Sequence, residues 1–421
     1  MAGYSMVALR RRTRAINPVQ RVIENFVAVY SNIITYLVGA MVMNFADRIG
    51  NRFNKMTRAA IGFAVCAYLY PVVASAHGGG DEAPQPGQLS LDLDVELQND
   101  YTTHTSDNNE RNNLKTQIEL GLGYQLTNEL SLNLGLKLEQ IGDPDAGKNE
   151  YFEKHGAYVE TLTVNYAKDD LSLYAGKFTP NFGLAWGISP GIYTKEFAEK
   201  DYELSERLGF GGGFDVDGGA AGRLNLSTST FFKDRTVLSN SVITSRGRTT
   251  EASGGPSNTG DFASFAVGID GYEVPWFETL EYHVAFVHQG KGEGDTDDEQ
   301  GIVAAAHFTV PLTAQIDFTP FTEYAAFMGR SGVRDRDQQN LTLAARFDYR
   351  AWNLTFGHST RRVQETGLDD TTDYLHQVSI GYAFANGLNL DVGYGKFDDA
   401  SVLSDVVGFK LSYEFGASTM F

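Results

Sequence analysis

Leu89, Leu91, Leu93, Val95 and Leu97 alternate with Ser90, Asp92, Asp94, Glu96 and Gln98. A strand turns successive side chains to opposite faces, so this stretch has one apolar and one acidic face. The pattern repeats to the end of the chain. Leu114–Tyr124 and Leu130–Leu138 alternate cleanly, and shorter runs follow at Leu162–Tyr166, Leu171–Ala175, Leu224–Thr228, Phe265–Ile269 and Leu280–Phe286. Ile302–Val310, Ile316–Tyr324, Leu341–Tyr349, Trp352–Phe356, Val378–Phe384, Leu388–Tyr394 and Val407–Phe415 continue the series. With a glycine-rich strand near Phe210–Val216, the pattern predicts about sixteen strands.

The connections between these runs alternate in length. Short turns are expected at Gln125–Glu129, Ala167–Asp170, Arg350–Ala351 and Ala385–Gly387. Long polar loops are expected at Tyr101–Asn113, Ile141–Gly156, Lys177–Arg207, Lys233–Gly260, Gly290–Glu299, Met328–Gln338, Arg361–Asp373 and Phe397–Ser404. Short turns on one side and long loops on the other predict an all-β transmembrane antiparallel barrel with its apolar face toward lipid. In lipid every backbone donor and acceptor must be paired, which forces the sheet to close. Tyr124, Tyr166, Tyr349, Trp352, Tyr382, Phe384, Tyr413 and Phe415 gather near the short-turn ends, as an interfacial girdle would.

Composition adds an N-terminal story. Residues 1–76 carry nine Lys and Arg against two acids, whereas the remainder carries 25 basic and 51 acidic residues. An acidic mature chain disfavours nucleic acid as a partner. Residues 56–76 have the order of a secretory signal peptide: Arg58, the apolar stretch Ala59–Val73, then Ala74-Ser75-Ala76 as the cleavage motif. Residues 1–55 read either as an anchor, from the apolar run Phe26–Phe45, or as an extension upstream of a true start at Met56, Met41 or Met43. The signal favours the second reading, in which 1–55 is not part of the mature protein. Residues 77–88 read as a flexible linker and 89–421 as the barrel. Cys66, the one cysteine, lies in the signal stretch and excludes an internal disulfide. N-terminal sequencing of outer-membrane material should therefore begin at His77. A start before Met56 would refute this processing.

Signal peptide, roughly sixteen alternating strands and the terminal Phe421 together resemble the outer-membrane porins of Gram-negative bacteria. Residues 173–183, LYAGKFTPNFG, resemble the end of the fifth strand in porin families, and Phe421 resembles their assembly signal. The resemblance implies a homotrimer in the outer membrane, in contact with bilayer lipid and lipopolysaccharide. It also implies a third long loop folded into the lumen. Here that loop is Lys177–Arg207. Its second half, 194–207, lacks strand alternation and suggests a short helix, and the glycines of Leu208–Phe214 suggest a wall on which the loop packs.

No enzymatic motif, metal set or cofactor fingerprint emerges. GFGGGF lacks the spacing and setting of a dinucleotide site, and the acids of 290–301 do not follow an EF-hand. His288, His307, His358 and His376 are assigned to the lipid face, and His283 to the lumen without an evident partner. The lumen parity assigns Asp92, Asp94, Glu96, Glu119, Glu139, Asp270, Glu281, Asp317, Glu323, Asp348, Asp391 and Glu414 as acids. Against these stand Lys115, Lys137, Lys177, Arg223, Arg346, Lys396 and Lys410. The candidate constriction comprises Lys177, Lys195, Glu196, Glu199, Lys200, Asp201, Glu203, Glu206 and Arg207. Twelve acids against seven bases lead to the expectation of a passive channel for small hydrophilic solutes that prefers cations. The rival reading is a barrel with a filled lumen, acting as an adhesin or structural protein.

Overall fold

The computed structural model describes residues 85–420. The extension 1–55, the signal 56–76, residues 77–84 of the linker and Phe421 lie outside the described residues. Sixteen strands form one closed antiparallel barrel. They are β1 Gln88–Thr105, β2 Arg111–Gln125, β3 Leu130–Gln140, β4 His155–Lys168, β5 Leu171–Phe178 and β6 Arg207–Asp217. Next come β7 Arg223–Lys233, β8 Ser264–Tyr272, β9 Glu281–Gln289, β10 Glu299–His307 and β11 Ile316–Met328. The last are β12 Arg336–Tyr349, β13 Trp352–Glu365, β14 Thr371–Ala383, β15 Leu388–Asp399 and β16 Val402–Met420. After a break at Phe308 and Thr309, β10 resumes as Val310–Thr313 on the same partner, β11. Closure is made by β1 on β16, in register from Gln88 opposite Met420 to Thr105 opposite Ser404.

The outward face is the one the alternation predicts. Leu93 sits beside Leu120 and Phe415, and Leu120 beside Leu136. Tyr124, Tyr349, Trp352 and Phe384 are exposed at the short-turn end. β16 stays paired with β1 as far as Met420, so Phe415 does not end the last strand.

The loops are less unequal than the sequence suggests. The connection expected at Phe397–Ser404 is a two-residue turn, Ala400–Ser401, with both residues in left-handed backbone (φ 51° and 66°). That expected at Arg361–Asp373 shrinks to 366–370, and that at Tyr101–Asn113 to 106–110. The strands continue above the lipid zone, where neither face needs to be apolar. There the backbone stays paired while the side-chain signal disappears.

The lumen is not uniformly polar. Phe178, Phe182, Tyr202, Leu204, Phe231, Phe321 and Phe327 form a buried cluster inside the barrel, with Ala285, Val287 and Val303 from the wall. Thus β8–β11 are covered on both faces, by lipid outside and by a loop inside. Strands buried on both faces read as continuous apolar runs. The stretches HVAFV (283–287) and IVAAA (302–306) are such runs, and this was the available signal for a filled half of the lumen.

Candidate functional site: the lumen and its third loop

The connection after β5 turns inward. At its root, Gly176 has φ +135°, and a Cβ there would run into the Leu162 carbonyl of β4, so only glycine fits. Two short helices follow, α1 Ala185–Ile188 and α2 Thr194–Tyr202. The loop is fixed by wall side chains that accept from its backbone. Glu323 of β11 accepts from Leu184 N–H (2.5 Å), Ala185 N–H (3.2 Å) and the Tyr202 hydroxyl. His283 Nε2 of β9 lies 3.1 Å from Gly183 N, while its Nδ1 lies 2.7 Å from Asp270. Asn181 donates to Asp270 (2.6 Å) and Ser227 (3.0 Å). Gln377 of β14 accepts from Tyr193 N–H (2.8 Å) and donates to Pro190 O (3.2 Å). The Tyr193 ring lies over Gly395 and Gly408, where any Cβ would collide with it.

Ion pairs anchor the same loop. Arg361 of β13 holds Asp201 (2.8 Å), together with Asp373 (2.7 Å) and Asp399 (2.6 Å). Arg330, which follows β11, donates to the Asp201 carbonyl and pairs with Glu299 (2.9 Å). Lys177 is buried between Glu206 (2.7 Å) and Asp234 (2.9 Å), and Arg246 reaches Glu206 (2.5 Å). On the other side, Lys115 of β2 pairs with Glu196 (2.8 Å) and with Asp100 (3.6 Å). Lys137 of β3 pairs with Glu199 (3.1 Å), Glu119 (3.4 Å), Glu139 (3.5 Å) and Glu160 (3.6 Å). In a closed barrel of sixteen, β3 and β11 stand eight strands apart, on opposite walls. Glu199 touches one and Tyr202 the other. The loop therefore bridges the lumen rather than lining one wall.

These contacts sort the expected residues. Glu196, Glu199, Asp201, Glu206, Lys177 and Arg207 lie where the loop meets the barrel, and Glu203 follows α2 near the Glu199 carboxylate. Lys195 and Lys200 carry no ion pair among the described residues. Asp270 and Glu323 are loop anchors within the packed half. Glu281, Asp317, Asp348, Arg346 and Arg223 belong to the short-turn mouth: Arg346 pairs with Asp348 (2.7 Å) and Arg223 with Asp170 (3.7 Å). The unpacked side runs along β16, β1 and β2. There Asp94 faces Glu414 and Glu119 across its two neighbouring strands, with Asp92 and Glu96 beside it. Lys410 is the nearby base and pairs with Glu96 (3.1 Å).

Several expectations need correction. Lys396 is on the outer face with Val392 and Tyr394, not in the lumen, because β15 keeps one parity throughout. His307 shares the inner face with Glu281 (3.2 Å) rather than facing lipid. His283 has partners. The glycines at 209, 211 and 213 adjoin neighbouring strands and the Tyr174 side chain, whereas those beneath the loop are Gly268, Gly301, Gly357, Gly393, Gly395 and Gly408. Glu160 was missed because a bulge between Gly135 and Leu136 of β3 skips it in the β4 register and breaks the parity. Arg361 and Arg330 were missed because they fall in stretches that read as loop.

On the loop, burial first and then the neighbouring Glu199 carboxylate push the Glu203 carboxyl up to about 8. For Glu196, burial opposes the charge, but the Lys115 ammonium outweighs it and holds the carboxyl below its usual range. A carboxyl whose folded pKa is raised favours the folded state most when it is protonated. Its contribution is full below its ordinary pKa and is lost as pH rises through 8. Raising pH from 6 to 9 should therefore add one negative charge at the bridge and strengthen any cation preference. Reversal potentials across this range test it: Glu203→Gln should abolish the step, and a wild type without a step would refute the assignment.

No protein-family model and no curated protein sequence matches the chain. Solved structures do match its fold. The outer membrane channel DcaP of Acinetobacter baumannii is 13% identical, with 78% of this chain covering 98% of that one at a TM-score of 0.50. OmpF of Salmonella typhi, solved in complex with daunomycin, is 12% identical, with 78% of this chain covering 97% of that one at a TM-score of 0.51. The sixteen-stranded closed barrel is thus a fold found in Gram-negative outer-membrane porins.

Proposed function

We propose that this protein is a passive diffusion channel of the Gram-negative outer membrane, carrying small hydrophilic solutes and ions with a preference for cations. One observation carries the reading. Beside the bridging loop, the unpacked side of the lumen is lined by Asp92, Asp94, Glu96, Glu119 and Glu414, against two lysines that are both paired, Lys410 with Glu96 and Lys137 with Glu119 and three further carboxylates. Fixed charge of one sign between low-dielectric walls concentrates the opposite ion. Elsewhere in the lumen the cations Lys115, Lys177 and Arg361 are each held by two or more carboxylates, so they too offer little free positive charge to a passing anion. The resemblance to porins supports a homotrimer in contact with lipopolysaccharide, and native mass spectrometry reading only monomers would remove the trimer.

The rival, a filled barrel used as adhesin or structural protein, draws support from the same loop, since it touches opposite walls. Planar-bilayer recording separates the two. Stepwise conductance events are expected, and a reconstituted, folded barrel that never conducts would favour the rival.

A further inference from the structure

A polar row crosses three neighbouring strands of the barrel's outer face. His358 of β13 lies directly opposite His376 of β14, and His376 directly opposite Lys396 of β15. All three point outward, in line with Phe356, Val378 and Tyr394 on the same strands. The two imidazoles stack at 4.5 Å with their Nδ1 atoms 3.1 Å apart, and His358 Nδ1 is also 3.2 Å from the Leu375 carbonyl. The Nδ1 edges are thus engaged, while neither Nε2 has a partner among the described residues. Lys396 has none either. Its neighbour Asp405 instead accepts from the Tyr394 hydroxyl.

We propose that this row binds the phosphate of an outer-leaflet glycolipid. The Nδ1–Nδ1 hydrogen bond takes one of the two ring protons and leaves the other on an Nε2, so that Nε2–H and the Lys396 ammonium are the unpaired donors of the row. Unpaired donors facing hydrocarbon are costly and call for an acceptor supplied from outside the chain. Adjacent strands lie about 4.8 Å apart, which spreads the row over roughly 10 Å. A phosphate offers several strong acceptor oxygens and a charge opposite to the ammonium of Lys396. Height selects the lipid source. Trp352 and Tyr382, paired in the short-turn girdle, lie six residues below His358 and His376 on the same strands. Six residues of tilted strand climb about 15 Å of a band roughly 25 Å tall, which puts the row in the outer-leaflet half. The long Lys396 stem can carry its head further toward the interface.

The inference rests on the outer-membrane reading, so the test keeps the two apart. Mature protein in detergent is titrated with bisphosphorylated lipid A, with its dephosphorylated form and with inorganic phosphate, and adducts are read by native mass spectrometry. Wild type should retain the phosphorylated lipid, and H358Q/H376Q/K396Q should lose its retention by about tenfold, or about 1.4 kcal/mol. The dephosphorylated lipid should bind both proteins alike, and both should conduct equally in bilayers. K396Q alone serves if the triple variant does not fold, with a smaller loss in the same direction. Equal retention by variant and wild type would overturn the proposal. So would competition by millimolar inorganic phosphate alone, which marks a free-phosphate site, or collapse of the variant to monomers, which marks a surface covered by a second copy. A conductance failure in wild type would strike the channel reading and leave the lipid result standing.

Discussion

In a salt gradient around 0.1 M, the wild-type channel should give a cation-selective reversal potential, and D94N/E96Q/E119Q should remove most of it. Asp94 and Glu119 are direct cross-strand neighbours, and Glu96 is the partner of Lys410. The triple substitution deletes three negative charges and also frees the Lys410 ammonium. The cation-to-anion permeability ratio should fall on the order of tenfold, the lower end of what a focused field achieves. The wild-type preference should itself fade near 1 M salt, where the screening length drops from about 10 Å to about 3 Å. The side chains sit on the inner face of strands whose outer face is unchanged, so folding and heat-modifiability should persist. An anion-selective wild type, or a triple variant with unaltered selectivity, would reject the acidic side as the solute path.

Glu323→Ala should release the bridging loop. This carboxylate accepts from the Leu184 and Ala185 amides and the Tyr202 hydroxyl, and it is almost fully buried. Each buried donor left without an acceptor costs about 1–3 kcal/mol, so the loss over three donors is on the order of several kcal/mol. The barrel's own ladder does not depend on Glu323. The expected variant is a folded barrel with larger, noisier conductance and rapid tryptic cleavage after Lys195 or Lys200. Glu323→Gln keeps one acceptor oxygen and should fall between. Asp201→Asn should be milder, because Arg361 retains Asp373 and Asp399. Unchanged conductance and full protease protection in Glu323→Ala would show that the loop is held by its apolar contacts instead.

The sequence by itself determined the barrel. A period of two is a property of single strands, and an apolar parity repeated about sixteen times leaves closure in lipid as the outcome that pairs the backbone. It also placed the girdle, while the expectation of an inward loop after the fifth strand came from the resemblance to porins. Wherever a strand runs unbroken, parity alone assigns a face, as at Asp92, Asp94 and Glu96. Tertiary structure decided which inner charges line a path and which are anchors. Asp94 and Glu323 share a parity class, yet one borders open lumen and the other is sealed under Leu184 and Tyr202. That difference depends on where a distant loop lands, which no local period encodes. The tertiary structure also decided Glu160, because a single bulge shifts every later parity on that strand. It decided Arg361 and Arg330 as well, since beyond the lipid zone a paired strand and a loop have the same polar sequence. The outward row of His358, His376 and Lys396 became visible only through cross-strand register, because residues 18 and 20 positions apart in sequence become neighbours when the hairpins zip in one alignment.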